Sequence, residues 1–278
     1  DYDPDWHHST SLELIIWSVP LLIIIALGAL TWIYTHKLDP YRPLDRIDAS
    51  RPLPEGTKPL VVEAVALDWK WLFIYPEQGI ATINEVAAPV DRPVEFKLTS
   101  TTTMNAFYVP DFAGMIYAMP GMETRLNGII NRPGVFEGKG SHYSGAGFAG
   151  MTFKFHGLSD ADFAQWVQKT RAEGGELTRS AYQQLAKPSE RDPVRLFKSV
   201  DQDLYHAVLN RCVDEGQMCM DEMMAKDALA NIKARAESKQ SRLNLPSDDV
   251  CTVRDATRIA LETTPTLSAG EGQSIVAQ

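Results

Sequence analysis

The sequence predicts a membrane-anchored β protein: one transmembrane helix, then a β-sandwich, then a helical C-terminal extension. Three observations carry this. Residues 14–33 contain no charged side chain. From residue 60 to 158, short runs rich in β-branched and aromatic residues alternate with turn signals. After Ser159 the apolar residues stop recurring at every second position and recur at every third and fourth instead.

The helix comes first. Residues 1–11 form an N-terminal segment and residues 12–35 the transmembrane helix. The uncharged run of 20 residues matches the ~20 residues that a helix needs to cross about 30 Å of hydrocarbon. Pro20 and Gly28 are tolerated inside such a helix, and Trp17, Trp32 and Tyr34 near its ends form an aromatic belt. A core helix of a soluble protein rarely lacks a charged face over this length. Glu13 stands at the start of the run. An acid there is either a functional group at a membrane entrance or an interfacial carboxylate facing water. Basic residues sit only on the C-terminal flank, at Lys37, Arg42, Arg46 and Arg51, against Asp1, Asp3 and Asp5 before the helix. The positive-inside count therefore places the C-terminal side in the cytoplasm. The chain starts at Asp1 without a methionine or a signal peptide, which reads as a processed start or one that lies upstream.

Residues 36–59 hold five prolines, Pro40, Pro43, Pro52, Pro54 and Pro59, and read as an extended linker. Residues 60–158 read as the sandwich. Val61, Val62 and Val65 and the run 69–75 are strand-like, and the runs 94–98 and 151–155 alternate apolar and polar residues. Asp91-Arg92-Pro93 and Arg132-Pro133-Gly134 are turn signals between them. In the extension, residues 159–210, Ser159 caps a helix with Asp160 and Asp162 in its first turn and Phe163, Trp166 and Val167 on one face. Gly174-Gly175 ends it. A second helix through Tyr182 and Leu185 stops before Pro188, and a third spans roughly 201–212 with Leu204, Tyr205, Val208 and Leu209 on its apolar face. The tail, residues 211–278, predicts a helix at about 221–238 and a mobile, polar end from 263 onward.

The bulk numbers exclude some functions. A net charge of −9 over 278 residues, with a pI near 5.2, gives nucleic-acid phosphates no basic face. The mean hydropathy of −0.20 averages an apolar segment with a polar remainder. There are three cysteines, Cys212, Cys219 and Cys251, so at most one internal disulfide.

Residues 140–151, Gly-Ser-His-Tyr-Ser-Gly-Ala-Gly-Phe-Ala-Gly-Met, resemble one loop in particular. It is the loop that holds the dinuclear copper centre in subunit II of cytochrome c oxidases, which reads Cys-x3-Cys-x3-His-x2-Met with a further His upstream. Setting Met151 on the family's Met places Gly140 and Ser144 on the cysteines and Phe148 on the histidine. The upstream His falls on Asn105. A copper pair needs thiolate bridges and imidazole nitrogens, and only Met151 keeps a ligand-competent atom. Further motifs occur in the family's order: Ser11-Leu12-Glu13-Leu14-Ile15-Ile16-Trp17, Asp68-Trp69-Lys70-Trp71, Tyr75-Pro76-Glu77-Gln78-Gly79 and Tyr117-Ala118-Met119-Pro120-Gly121. The chain resembles subunit II of haem-copper ubiquinol oxidases of the cytochrome bo type, over residues 6 to about 210.

The resemblance narrows the sandwich to a cupredoxin-like fold and implies a noncatalytic subunit of a proton-pumping oxidase. It implies no cofactor in this chain, with haems, copper and quinol in subunit I. The implied partners are subunit I, the other oxidase subunits and membrane lipid, without cytochrome c or nucleic acid. The large domain would face the periplasm of a bacterial inner membrane, against the charge count. An earlier family helix, whose connecting loop carries the missing basic residues, accounts for the conflict. Glu13 falls on the family's proton-entry acid. Trp69 and Trp71 fall where copper-bearing relatives take electrons from cytochrome c, and here read as aromatic packing at the sandwich surface or against subunit I. Met151 reads as core or loop packing. His142 falls on a glutamate whose backbone helps hold magnesium, and reads as a surface or structural histidine. His7, His8, His36, His156 and His206 show no ligand spacing. Cys212 and Cys219, followed by Met220, Met223 and Met224, read as a disulfide in an oxidising compartment. A soft copper(I) site is the alternative, and Cys251 can replace either partner. Two other identities compete: a cytochrome c oxidase subunit II, and a membrane-anchored cupredoxin-like binding module without an oxidase.

Overall fold

The computed structural model describes residues 8–54, 56–214 and 216–243, with side chains described up to residue 235. Cys251 and the mobile end expected from residue 263 lie outside them. The chain divides after Val213 into two compact units.

The first unit opens with α1 (Thr10–Lys37), with Ser9 in the N-cap position and Glu13 in its first turn. It runs two residues past the expected span at each end. None of its residues is buried, and Trp17 is 74% exposed. A soluble core helix would bury one face, and this helix buries none, as a membrane anchor does. Among the described residues it is the one helix long and apolar enough to cross a membrane. The linker is more folded than its prolines predict. Arg46 bridges Pro52, Ile47 N donates to Arg51 O (2.8 Å), and Pro40 O accepts from Asn127 N (3.1 Å).

Twelve strands follow: β1 (Leu60–Leu67), β2 (Lys70–Tyr75), β3 (Ile80–Ile83), β4 (Glu85–Pro89), β5 (Pro93–Ser100), β6 (Asn105–Val109), β7 (Ala113–Ala118), β8 (Thr124–Ile129), β9 (Gly134–Gly140), β10 (Thr152–Leu158), β11 (Gly175–Leu177) and β12 (Arg195–Val200). They form a seven-stranded sheet, β11-β12-β3-β2-β1-β5-β8, and a five-stranded sheet, β4-β10-β9-β6-β7. The space between the sheets is filled by rings. Phe153 lies 5.1 Å from Phe73 and 5.2 Å from Phe107, centroid to centroid, and Trp71 meets Phe107 edge-on at 5.3 Å. Gly138 makes room for this core, because a methyl there would come within 2.1 Å of the Phe153 ring.

The extension contains α2 (Asp160–Glu173), α3 (Arg179–Leu185) and α4 (Leu204–Leu209). Ser159 Oγ accepts from Asp162 N (3.1 Å), and Trp166 Nε1 donates to Glu85 Oε1 (2.8 Å), docking α2 on the sandwich. Two expectations need correction. The extension is not purely helical: β11 and β12 extend the seven-stranded sheet, with Arg195 opposite Ile83. The third helix is also shorter than 201–212, because Asp203 takes a left-handed φ of 59° and α4 starts only at Leu204. α3 and α4 cover the outer face of the sheet, where Leu204, Tyr205, Leu177 and Tyr182 pack on Val65, Leu67, Leu72 and Ile74. Cys212, at the end of this unit, is buried and disulfide-bonded.

The second unit is described as α5 (Met220–Leu243), longer than the expected 221–238. Cys219 precedes it and is also disulfide-bonded. Met223 and Met224 are exposed.

Candidate functional site

The loop 140–151 joins β9 to β10 at one end of the five-stranded sheet, where Thr152 pairs with Lys139. Its neck is closed by Gly140 N donating to Met151 O (3.0 Å). Inside it, Phe148 N donates to Gly145 O (3.2 Å) and Met151 N to Phe148 O (3.1 Å), which winds residues 148–150 into a single 3-10 turn. Asn105 opens β6 beside it: Phe107 pairs with Gly140, and Ser141 N donates to Ala106 O (2.9 Å). Gly140, Ser144, Phe148 and Met151 are thus carried by one loop, with Asn105 on the strand next to it.

The chemistry there does not fit a copper pair. Asn105 is 2% exposed, its Nδ2 donates to Thr103 O (3.1 Å), and its Oδ1 is buried without a partner among the described residues. Ser141 Oγ and Ser144 Oγ are buried and unpartnered in the same sense. Phe148 turns its ring edge-on to Tyr143 at 5.6 Å. A Cβ on Gly140 would stand 3.1 Å from Met151 Sδ. Met151 is 1% exposed and is packed in the core. The donor set is neutral oxygen and one thioether, where copper of this type wants thiolate and imidazole.

The two tryptophans part company. Trp71 is fully buried among the core rings, so the expectation of surface packing fails for it. Trp69 is not in a strand. It occupies the turn before β2 with a left-handed φ of 65°, and its Nε1 donates to Ser144 O (3.0 Å). His142 lies edge-on to Tyr117 at 6.0 Å.

Glu13 belongs to a separate place, the first turn of α1. Its Oε1 lies 2.8 Å from His8 Nδ1, and His8 Nε2 lies 3.2 Å from Thr10 Oγ1. The sequence reading passed over His8 because it looked for ligand spacing. A histidine just before a helix cap, within reach of a first-turn acid, was the available signal.

Two further groups were also missed. Lys70 is buried at 1% exposure, bound by Lys187 O, Ser189 Oγ and Asp192 Oδ2. Glu63 stands on the outer face of β1, opposite Lys97 and beside a cavity of about 370 Å³ lined also by Tyr205 and His206. Burial, with Glu123 adding repulsion and Lys97 opposing, raises the Glu63 carboxyl to about 7. Nothing in a single glutamate among valines announces this.

Comparisons with known proteins place the chain in a family. The family "Cytochrome C oxidase subunit II, periplasmic domain" matches residues 78–156, and "COX Aromatic Rich Motif" matches residues 171–216. The chain is 46% identical over 241 residues to the cytochrome bo(3) ubiquinol oxidase subunit 2 of Pseudomonas putida, covering 86% of this chain and 74% of that one. It is 48% identical over 216 residues to the protein of the same name from Pseudomonas aeruginosa, covering 78% and 62%. With the ubiquinol oxidase subunit 2 of Acetobacter aceti the identity is 43% over 226 residues, covering 81% and 70%. A β-sandwich behind a helix long and apolar enough to cross a membrane, and these relatives, lead to one conclusion: the chain belongs to the ubiquinol oxidase subunit 2 family.

Proposed function

We propose that this chain is the noncatalytic anchoring subunit of a proton-pumping terminal quinol oxidase and holds no redox centre of its own. The complex oxidises quinol and reduces dioxygen to water, with haems, copper and the quinol site in subunit I. α1 lies in the bacterial inner membrane and the sandwich faces the periplasm, capping subunit I. One observation carries the reading: Gly140, Ser144 and Phe148 stand on a loop whose neck is closed by Gly140 N donating to Met151 O and whose Met151 is buried, with Asn105 on the strand beside it. Quinol partitions into lipid, so electrons need no copper relay from a soluble donor, and cytochrome c has no entry site here. Metal analysis and electron paramagnetic resonance of the purified oxidase test it. We expect no mixed-valence copper-pair signal from this subunit, and such a signal refutes the reading.

Glu13 serves proton entry in this account, next to His8. Glu13→Gln keeps the shape and removes the exchangeable charge. Turnover should fall while haem content and assembly stay normal. An unchanged activity profile across pH leaves Glu13 an interfacial carboxylate.

Cys212 and Cys219 pair with each other in this reading, since three cysteines allow one bond. The closed loop is short, and the chain-entropy model gives it about 2–3 kcal/mol of local stabilisation. Peptide mapping without reduction should recover that pair, and a Cys219–Cys251 link contradicts it.

A further inference from the structure

The loop 140–151 has little structure of its own. It contains one 3-10 turn, glycines at 145, 147 and 150, and no Asp, Glu, Lys or Arg. Its neighbours hold it. The Trp69 indole lies against its middle, because a methyl on Gly147 would come within 2.4 Å of the ring and one on Gly145 within 3.2 Å. The Arg191 stem lies against its end, where a methyl on Gly150 would come within 2.9 Å of Arg191 Cγ. The glycines are therefore seats for these two side chains.

Arg191 belongs to the segment 187–192, which crosses from α3 toward β12. Strand β2 and the β3–β4 turn fasten that segment down. Lys70 Nζ donates to Lys187 O (2.9 Å) and to Ser189 Oγ, and pairs with Asp192 Oδ2 (3.1 Å). Each of its three protons has an acceptor, and all three acceptors lie on this segment. Ser189 Oγ donates to Asp192 Oδ2 (2.6 Å), and Asn84 Nδ2 donates to Asp192 O (2.9 Å). Asn84 Oδ1 in turn accepts from Trp71 N (2.9 Å), which ties the segment to the core strand. Burial works against the charge of Asp192, but the hydrogen bonds from Ser189 and Lys70 and the nearby Arg195 outweigh it and hold the carboxyl below its usual value. A buried ammonium satisfied from one direction makes a specific fastening, and removing one partner of such a pair is costly.

We propose that residues 187–192 are a strap that locks the loop 140–151 in place, with Lys70 as its fastening and Trp69 as the opposite wall. The loop then keeps its shape without a metal. This rests on the copper-free reading above.

Hydrogen exchange on the whole oxidase tests the strap. In Lys70→Met, amides of 140–151 and of 187–192 should exchange faster by about tenfold or more, while β1 and β5 stay as protected as in the wild type. Asp192→Asn should loosen the same two segments to a smaller degree, and carries the test alone if Lys70→Met does not fold. In a chain with Asn105→His, Gly140→Cys, Ser144→Cys and Phe148→His, loaded with copper, Lys70→Met should leave the loop protected, because metal replaces strap. Faster exchange at 187–192 with an unchanged loop overturns the strap. Copper bound to the wild-type subunit instead overturns the reading beneath it, so the two failures are distinct.

Discussion

The inner face of the seven-stranded sheet is buried by the second sheet and filled with rings. The outer face is buried by the extension and filled mainly with aliphatic side chains. Trp71, Phe73, Phe96, Phe107, Phe153 and Phe155 meet one another on the inside. On the outside Val65, Leu67, Leu72, Ile74 and Ile83 meet Leu177, Leu185, Leu204 and Val208, with Tyr182 and Tyr205 at the contact. The inner core is mostly the sandwich's own, with only Phe163, Trp166 and Val167 of α2 reaching it from the extension. The outer one exists only because α3 and α4 lie over the sheet that β11 and β12 extend. The extension is therefore a third layer of the same unit, and the polar devices of the molecule, Lys70 and Glu63, sit where that layer meets the sheet.

The largest expected effect separates the two faces. Phe153→Ala removes a ring in contact with Trp71, Phe73 and Phe107. It should cost about 3–5 kcal/mol and open both sheets together in thermal unfolding and hydrogen exchange. Leu204→Ala should cost about 2–5 kcal/mol, but loosen residues 175–213 first. If both variants open the same amides in the same order, the outer layer is not a distinct part of the cooperative unit and the comparison fails.

A smaller effect should come from pH at the outer face alone. Glu63 faces Lys97 from β5, Glu123 from the turn before β8, Tyr205 and His206 from α4, and Asp201 and Asp203 from the segment before it. Its carboxyl is raised to about 7 from an ordinary value of 4.5. The folded form then binds more protons than the unfolded form between these values, so this contribution is full below about 4.5 and is lost as pH rises through 7. Protection of α4 should fall between pH 5 and 8 in the wild type, and Glu63→Gln should flatten that slope. The same slope in both proteins assigns the dependence to another group.

The inner core was legible in the sequence and the outer one was not, for a physical reason. Alternation in the runs 94–98 and 151–155 marks Phe96, Phe153 and Phe155 as facing one side, and the structure buries all three. Lys70 stands on the face opposite Trp71 and is buried as well, because a pattern cannot say what covers the other face. β12 is Arg-Leu-Phe-Lys-Ser-Val, half-buried at best and without a two-residue period, so it offered no strand signal. The α2 cap at Ser159 and the α3 stop before Pro188 were readable because each is local chemistry. The loop 140–151 stood out because its spacing matches that of the copper loop it resembles. The contacts that hold it did not, because Trp69, Lys70, Asn84 and Arg191 come together only in the fold.

The central claim is that this loop lost its donors and kept its geometry. The direct test compares copper loading of the wild-type subunit in the purified oxidase with that of the Asn105→His, Gly140→Cys, Ser144→Cys, Phe148→His variant. The new Cβ at position 140 comes nearest to Met151 Sδ, at 3.1 Å, so that side chain must give by a few tenths of an ångström. The account predicts no copper pair in the wild type and a mixed-valence copper spectrum in the variant. A copper pair in the wild type, or a folded variant that binds none, would contradict it.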